Sequence, residues 1–356
     1  MKTPPKLAAG QLLAIGSKIA LCTNDGLSLL RGRFFKWSVL FVAGMLLAGF
    51  TTFAYVHARG IDYLSTGNQL LRHQAIMNGD AGNPWQYRIL APYLIEIGIK
   101  VMRRLSVTDP VAVTFILFRI AQDALIFWLA FAYYQKLGLS FLQSVMGMVI
   151  LSWGMSYSHY DSDLQFSTFF DVIFYLLAGL ALLNNRVVWI IPISILAALN
   201  RETSGLIPFL LLASAVACPG QTRKKVLLTF FLSIFAYFLI YLGLRAFYGE
   251  QELIIPYGHH HGLDLLLYNL FRIITWHNLI STLNFVPLIA LAGYRKWPAA
   301  LKMFFWTVVP VWLLVHSFGA VLAETRLLLV PQALIFIPGA LIAVAQPSFS
   351  SRMMRS

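Results

Sequence analysis

The chain has 356 residues, 59% of them hydrophobic and 12% charged, with a mean hydropathy of +0.72, whereas a soluble domain carries about 25% charged residues. These values exclude an ordinary soluble domain and indicate an all-α, polytopic membrane protein. The formal charge of +13 is scattered over short segments between apolar runs and forms no folded basic domain, which argues against nucleic acid as a partner.

Residues 1–35 are polar or weakly apolar and read as a cytoplasmic segment. Within them "KLAAGQLLAIGSKIALC" is either a surface-lying amphipathic stretch that meets anionic lipid or a disordered one. The transmembrane region follows over 36–346, with apolar runs near 36–56, 111–134, 141–157, 166–184, 187–199, 205–218, 226–248, 277–294, 300–317 and 327–345. About ten spans are expected, those near 187 and 205 being short for a bilayer that wants ~20 residues. The first run ends in "FAYVHARG" with no small-residue cleavage site and reads as a signal anchor. Residues 347–356 form a short tail. Cys22 and Cys218 both fall on the inner side, so neither a disulfide nor a cysteine metal site is expected.

With the N-terminus inside and ten alternating spans, fifteen of the 27 Lys and Arg residues fall on inner segments and nine on outer ones. The positive-inside rule favours this orientation, and every short inner loop ("YYQKLGLS", "NNR", "GQTRKK", "YRKW") carries a cation. Only Asp25 lies inside among the acids, and all eight His residues lie outside or at outer span ends. Two readings stand: acids simply avoid the cytoplasmic face, or polar chemistry is gathered at the outer one.

The longest outer segment is 57–110. Its "ILAPYLIEIGI" is too short and too charged to cross. Glu96, Lys100, Arg103 and Arg104 share one helical face with leucines and isoleucines opposite, the pattern of a helix lying in the membrane interface. "NRETS" reads as an outer turn, with the next helix starting at Thr203 or Ser204 as its cap.

A large outer loop of interfacial helices after the first span resembles the GT-C superfamily of membrane glycosyltransferases. The resemblance rests on Asp62 in "ARGIDYLSTGNQLL" and on "SHYDSDLQF", with His159, Asp161 and Asp163, in the next outer loop; it covers roughly residues 36–184. It implies a GT-C-like bundle, a donor sugar on polyprenyl phosphate, a glycan, lipid or protein acceptor, and Asp62 as the catalytic base. It also implies that "SHYDSDLQF" is the second acidic motif. A soluble C-terminal domain such as many members carry is not expected here.

Transfer from a lipid phosphate needs a base for the acceptor and positive charge for the leaving phosphate. The planar fork of arginine suits phosphate, and Arg88 in "WQYRILAP", Arg201 in "NRETS" and Arg326 in "AETRLLLVP" sit at outer boundaries. Arg201 adjoins Glu202 and Arg326 lies near Glu324, so ion pairs closing the bundle are the competing reading. Asp161 and Asp163 could hold a divalent cation or acceptor hydroxyls, or cap a solvated loop; no cofactor is otherwise expected. His259, His260 and His261 are consecutive and cannot converge on one ion. They suit a loop that bonds sugar hydroxyls or lipid phosphate, or wet surface. Asp171 lies inside a span, where an acid is normally paired or functional, with Arg119 as its possible partner; Arg119 with Asp123 reads as a structural pair. Trp85, Trp153 and Trp276 read as interface anchors, with sugar stacking as the alternative.

The expected activity is therefore glycosyl transfer at the periplasmic face of a bacterial inner membrane, both termini cytoplasmic, with membrane lipids as surroundings. The runner-up is a glycan polymerase or ligase using lipid-diphosphate-linked oligosaccharide, and the third possibility is a lipid-linked glycan transporter or flippase. The latter lacks an inverted repeat or charges through the membrane depth.

Overall fold

The structure, a computed structural model, describes residues 35–158, 166–217 and 222–345. His159, Asp161 and Asp163, like Cys22 and Cys218, lie outside the described residues.

The described residues form an all-helical bundle without strands; a lone bridge joins Asn83 to Leu253. Helix α1 covers Phe35–Arg59. After the positive-φ Gly60 come a one-turn α2, Asp62–Ser65, and α3, Asn68–Asn78, which Gly79 ends in the left-handed conformation that a Cβ disfavours. Then follow a 3-10 turn, Trp85–Tyr87, and α4, Leu90–Arg104. Helix α4 buries Ala91, Pro92, Ile95 and Ile99 and leaves Tyr93, Leu94, Ile97 and Val101 exposed. It packs on α5, Pro110–Lys136, whose start is set by Pro110 and by the Asp109 carboxylate accepting from the Ala112 amide. Glu96 lies on the side of Lys100, as its spacing suggests, with the two 3.8 Å apart, but it is half-buried and also faces His73.

Helix α6, Phe141–Tyr157, opens with a reciprocal capping box of Ser140 and Gln143. Helix α7, Phe166–Leu183, leads to a short hairpin of α8, Ile190–Ala198, and α9, Ile207–Ala217. Glu202–Leu206 between them is a 3-10 turn and neither Thr203 nor Ser204 caps a helix, correcting the expected start. Next come α10, Arg223–Tyr248; α11, Leu263–Phe271; α12, Ile273–Leu283; α13, Val286–Ala292; and α14, Ala299–Gly319. The last segment, Thr325–Val344, runs through a 3-10 turn, the short α15, Leu329–Pro331, a π segment, Gln332–Phe336, and α16, Ile337–Val344.

Ten spans are expected from the apolar runs; six described helices are long and apolar enough to cross a membrane, or seven if α12 and α13, bent by 67°, make one span. Helices α8 and α9 have only nine and eleven residues, far short of a ~30 Å hydrocarbon core at 1.5 Å per residue. Helix α7 and the last segment are innermost, with 72% and 78% of their apolar windows buried, against 33% for α1 and 22% for α10. Where α5, α6 and α7 approach, glycine makes the room: a Cβ on Gly147 would meet the Tyr134 ring at 2.6 Å, and one on Gly179 the Tyr133 ring at 2.8 Å.

Candidate functional site

The α8–α9 hairpin carries its polar tip against the first turns of α7. Asn200 Nδ2 donates to the Ser167 carbonyl at 2.8 Å and to Asp171 Oδ1 at 2.9 Å. Thr203 Oγ1 donates to Asp171 Oδ2 at 3.2 Å, and Arg201 Nη1 pairs with the same oxygen at 3.2 Å. Asp171 is fully buried and Arg201 is 5% exposed, so an acid costly inside apolar surroundings has found one cation and two neutral donors. Its partner is Arg201 and not the expected Arg119.

Glu202 faces the other way. Both Nε and Nη2 of Arg88, just after the Trp85–Tyr87 turn, donate to Glu202 Oε2, at 3.2 and 2.9 Å. The Leu90 amide donates to the Leu199 carbonyl at 3.1 Å and ties the start of α4 to the same tip. Tyr237 of α10 and Tyr175 of α7 lock it through hydrogen bonds to the carbonyls of Glu202 and Thr203, at 2.8 and 2.7 Å.

Arg326, in the 3-10 turn of the last segment, closes the third side. Its Nη2 pairs with Glu324 at 2.5 Å and its Nη1 donates to Thr168 Oγ1 of α7 at 3.3 Å. Arg201 feels the charges of both Arg88 and Arg326. Arg88, Arg201 and Arg326, from three separate turns, thus belong to one network with Asp171, Glu202 and Glu324, one carboxylate to each cation. The Nε–H groups of Arg201 and Arg326 are buried and lack a hydrogen-bond partner among the described residues. An anion arriving here meets guanidiniums already fixed in place, the arrangement that makes charge stabilisation effective.

The ionisation of the tip follows from its surroundings. Burial lowers Arg201 to about 10, opposed by Asp171, and it remains charged at neutral pH. Burial alone would raise the Glu202 carboxyl, but Arg88, the backbone and Arg201 outweigh it and hold it below its ordinary range. A carboxyl lowered on folding stabilises the folded chain above its ordinary range, and that contribution is lost as pH falls through the lowered value. Glu202→Gln should therefore reduce the melting temperature at neutral pH, and the gap to the wild type should close under acid conditions. A gap that stays constant with pH would remove the charge pairing from the account.

Beside the network lies a small cavity between α3, α4, α5 and α7, to which Arg72, His73 and Arg88 contribute among apolar residues such as Ile95, Phe115 and Phe166. The guanidiniums of Arg72 and Arg88 lie over the Trp85 ring, 4.7 and 4.8 Å from its centroid, so this Trp holds cations in place. Arg72 and His73 carry no sequence expectation. Their signal is the buried face of α3, where Gln69, His73 and Ile76 recur at helical spacing.

The other expected residues lie elsewhere. Asp62 is exposed at the first position of α2 and does not line the cavity. His259 Nδ1 bonds Asp264 at 3.1 Å, the His260 amide bonds the same carboxylate, and His261 Nε2 bonds the Ile254 carbonyl. No group of three or more metal-binding side chains occurs among the described residues. Trp153 and Trp276 donate to the carbonyls of Ser281 and Leu270. Asp123 accepts from Thr51 of α1 at 2.8 Å, and Arg119 lies over the rings of Phe169 and Phe166 at 4.0 and 4.6 Å, so this pair fastens α1 and α7 to α5.

Neither protein-family models, nor curated proteins, nor solved structures yield a match to the chain.

Proposed function

We propose that the chain is an integral membrane glycosyltransferase of GT-C type that moves a sugar from a polyprenyl-phosphate donor to a glycan, lipid or protein acceptor on the periplasmic face of a bacterial inner membrane. The observation that carries this reading is the meeting of Arg88, Arg201 and Arg326 in one buried network beside an amphipathic cavity. A lipid phosphate needs both fixed guanidiniums and apolar walls. Asp62 takes the proton of the acceptor hydroxyl, the acceptor oxygen bonds to the anomeric carbon, and the bond to the phosphate breaks with its electron pair going to the phosphate. The arginines stabilise that charge.

The test is turnover of a short-chain polyprenyl-phosphate sugar by purified protein, followed by mass spectrometry. Wild type should transfer or release sugar, and Asp62→Asn should lose at least ~10²-fold in rate, the usual contribution of a positioned base, while still expressing and folding. Normal turnover by Asp62→Asn would dismiss that residue as the base. A wild type that ignores such donors but binds lipid diphosphate oligosaccharides would favour the polymerase or ligase, whose products would also grow by repeated addition.

A further inference from the structure

His73 is 7% exposed yet lines the cavity. Its Nε2 faces Glu96 Oε2 at 3.2 Å, and Glu96 also meets Lys100 at 3.8 Å. An ionised carboxylate only accepts hydrogen bonds, so Glu96 requires a hydrogen on Nε2 and fixes which nitrogen is left over. That nitrogen, Nδ1, has no hydrogen-bond partner among the described residues. The edge of Phe115 holds the ring in place, with centroids 5.9 Å apart. A buried, oriented imidazole with one nitrogen unused, in a cavity shared with Arg72 and Arg88, is placed to exchange a proton with an anion.

We infer that His73, oriented by Glu96, is the general acid that protonates the leaving lipid phosphate in this cavity. The inference rests on the glycosyltransferase reading and adds a second proton transfer to it. As the bond between the anomeric carbon and the phosphate oxygen breaks, that oxygen takes the electron pair and the Nδ1 proton of the imidazolium. The acceptor's own proton goes to Asp62. His73 is left neutral, with Nε2–H still on Glu96, and regains its proton from water. The arginines cannot do this, because guanidinium does not release its proton; they hold the phosphate while the imidazole neutralises it.

Among the described residues, the charged groups placed beside His73 are Glu96 and Lys100 from α4, Arg72 on α3 itself and Arg88 after the 3-10 turn. Helix α5 meets it with Phe115 and α7 contributes Phe166 and Ser167 to the cavity wall.

The experiment measures kcat against pH for wild type, His73→Gln and Glu96→Gln with a short-chain polyprenyl-phosphate sugar, together with donor binding. The wild-type rate should fall on the alkaline side. His73→Gln should bind donor with a Kd within about threefold of wild type, turn over about 10²-fold more slowly, and lose the alkaline fall. Glu96→Gln, which takes the partner from Nε2, should bind donor as wild type does and turn over more slowly. A His73→Gln protein with wild-type turnover, or one that is slow yet keeps the alkaline fall, overturns the inference and leaves the glycosyltransferase reading intact. Loss of donor binding by His73→Gln overturns it too, by making the residue part of the binding wall. No turnover by wild type removes the glycosyltransferase reading and the inference with it.

Discussion

Asp171→Leu is expected to destabilise the bundle by about 3–5 kcal/mol, the cost of leaving a buried charge without its partner. The carboxylate is fully buried and accepts from Asn200, Thr203 and Arg201 together. Its removal strands a 5% exposed guanidinium whose Nε already lacks a partner among the described residues, and takes one of the two acceptors of the Asn200 amide. The double variant Asp171→Leu/Arg201→Met should recover most of the loss, since a buried ion pair replaced by apolar groups of similar volume is often neutral or stabilising. The measurement is the unfolding midpoint of wild type, Asp171→Leu, Arg201→Met and the double variant in one detergent, read as a cycle. A single variant as stable as wild type would mean the pair is solvated. Activity of the double variant then separates the two roles of Arg201. A stable, inactive protein assigns its charge to the phosphate, and a stable, active one reduces it to a bundle closure.

The cross-pairing behind this expectation explains where sequence reading stops. Arg201 and Glu202 are adjacent, and local reading joins them, but Arg201 is extended, with φ −158° and ψ 152°, and successive side chains of an extended chain point to opposite sides. One turns to α7 and the other to Arg88, both distant in sequence, and no periodicity encodes that. Arg326 and Glu324, two residues apart, do pair as their spacing suggests. The helical, membrane-type character was legible because composition and run length report burial directly. The span number was less so, because an apolar run says how much surface leaves water and not whether the helix crosses: α8 and α9 bury Ile190, Ala197, Ile207 and Leu210 within a short hairpin. His73 was missed for a different reason. It sits in "NQLLRHQAIMN", a mainly polar helix, and only the spacing of Gln69, His73 and Ile76 marks its buried face.

Arg88→Gln is expected to lower kcat/KM by about 10²–10³-fold, the range found when one fixed donor to a developing anion is removed. Arg88 is the residue shared by the two halves of the site: it lines the cavity and its Nε and Nη2 close on Glu202. Arg88→Lys should fare little better. An ammonium keeps the charge but cannot reproduce the two-donor fork or lie flat over Trp85. If Arg88 only closed the bundle, removing both partners with Arg88→Gln/Glu202→Gln would restore activity along with stability. If it serves the phosphate, the double variant should be as stable as wild type and as slow as Arg88→Gln. The decisive pair of measurements is therefore the melting temperature and kcat/KM on the same samples. Recovery of both together would return Arg88 to the bundle and leave the phosphate to Arg201 and Arg326, whereas recovery of stability alone fixes the fork at the centre of the reaction.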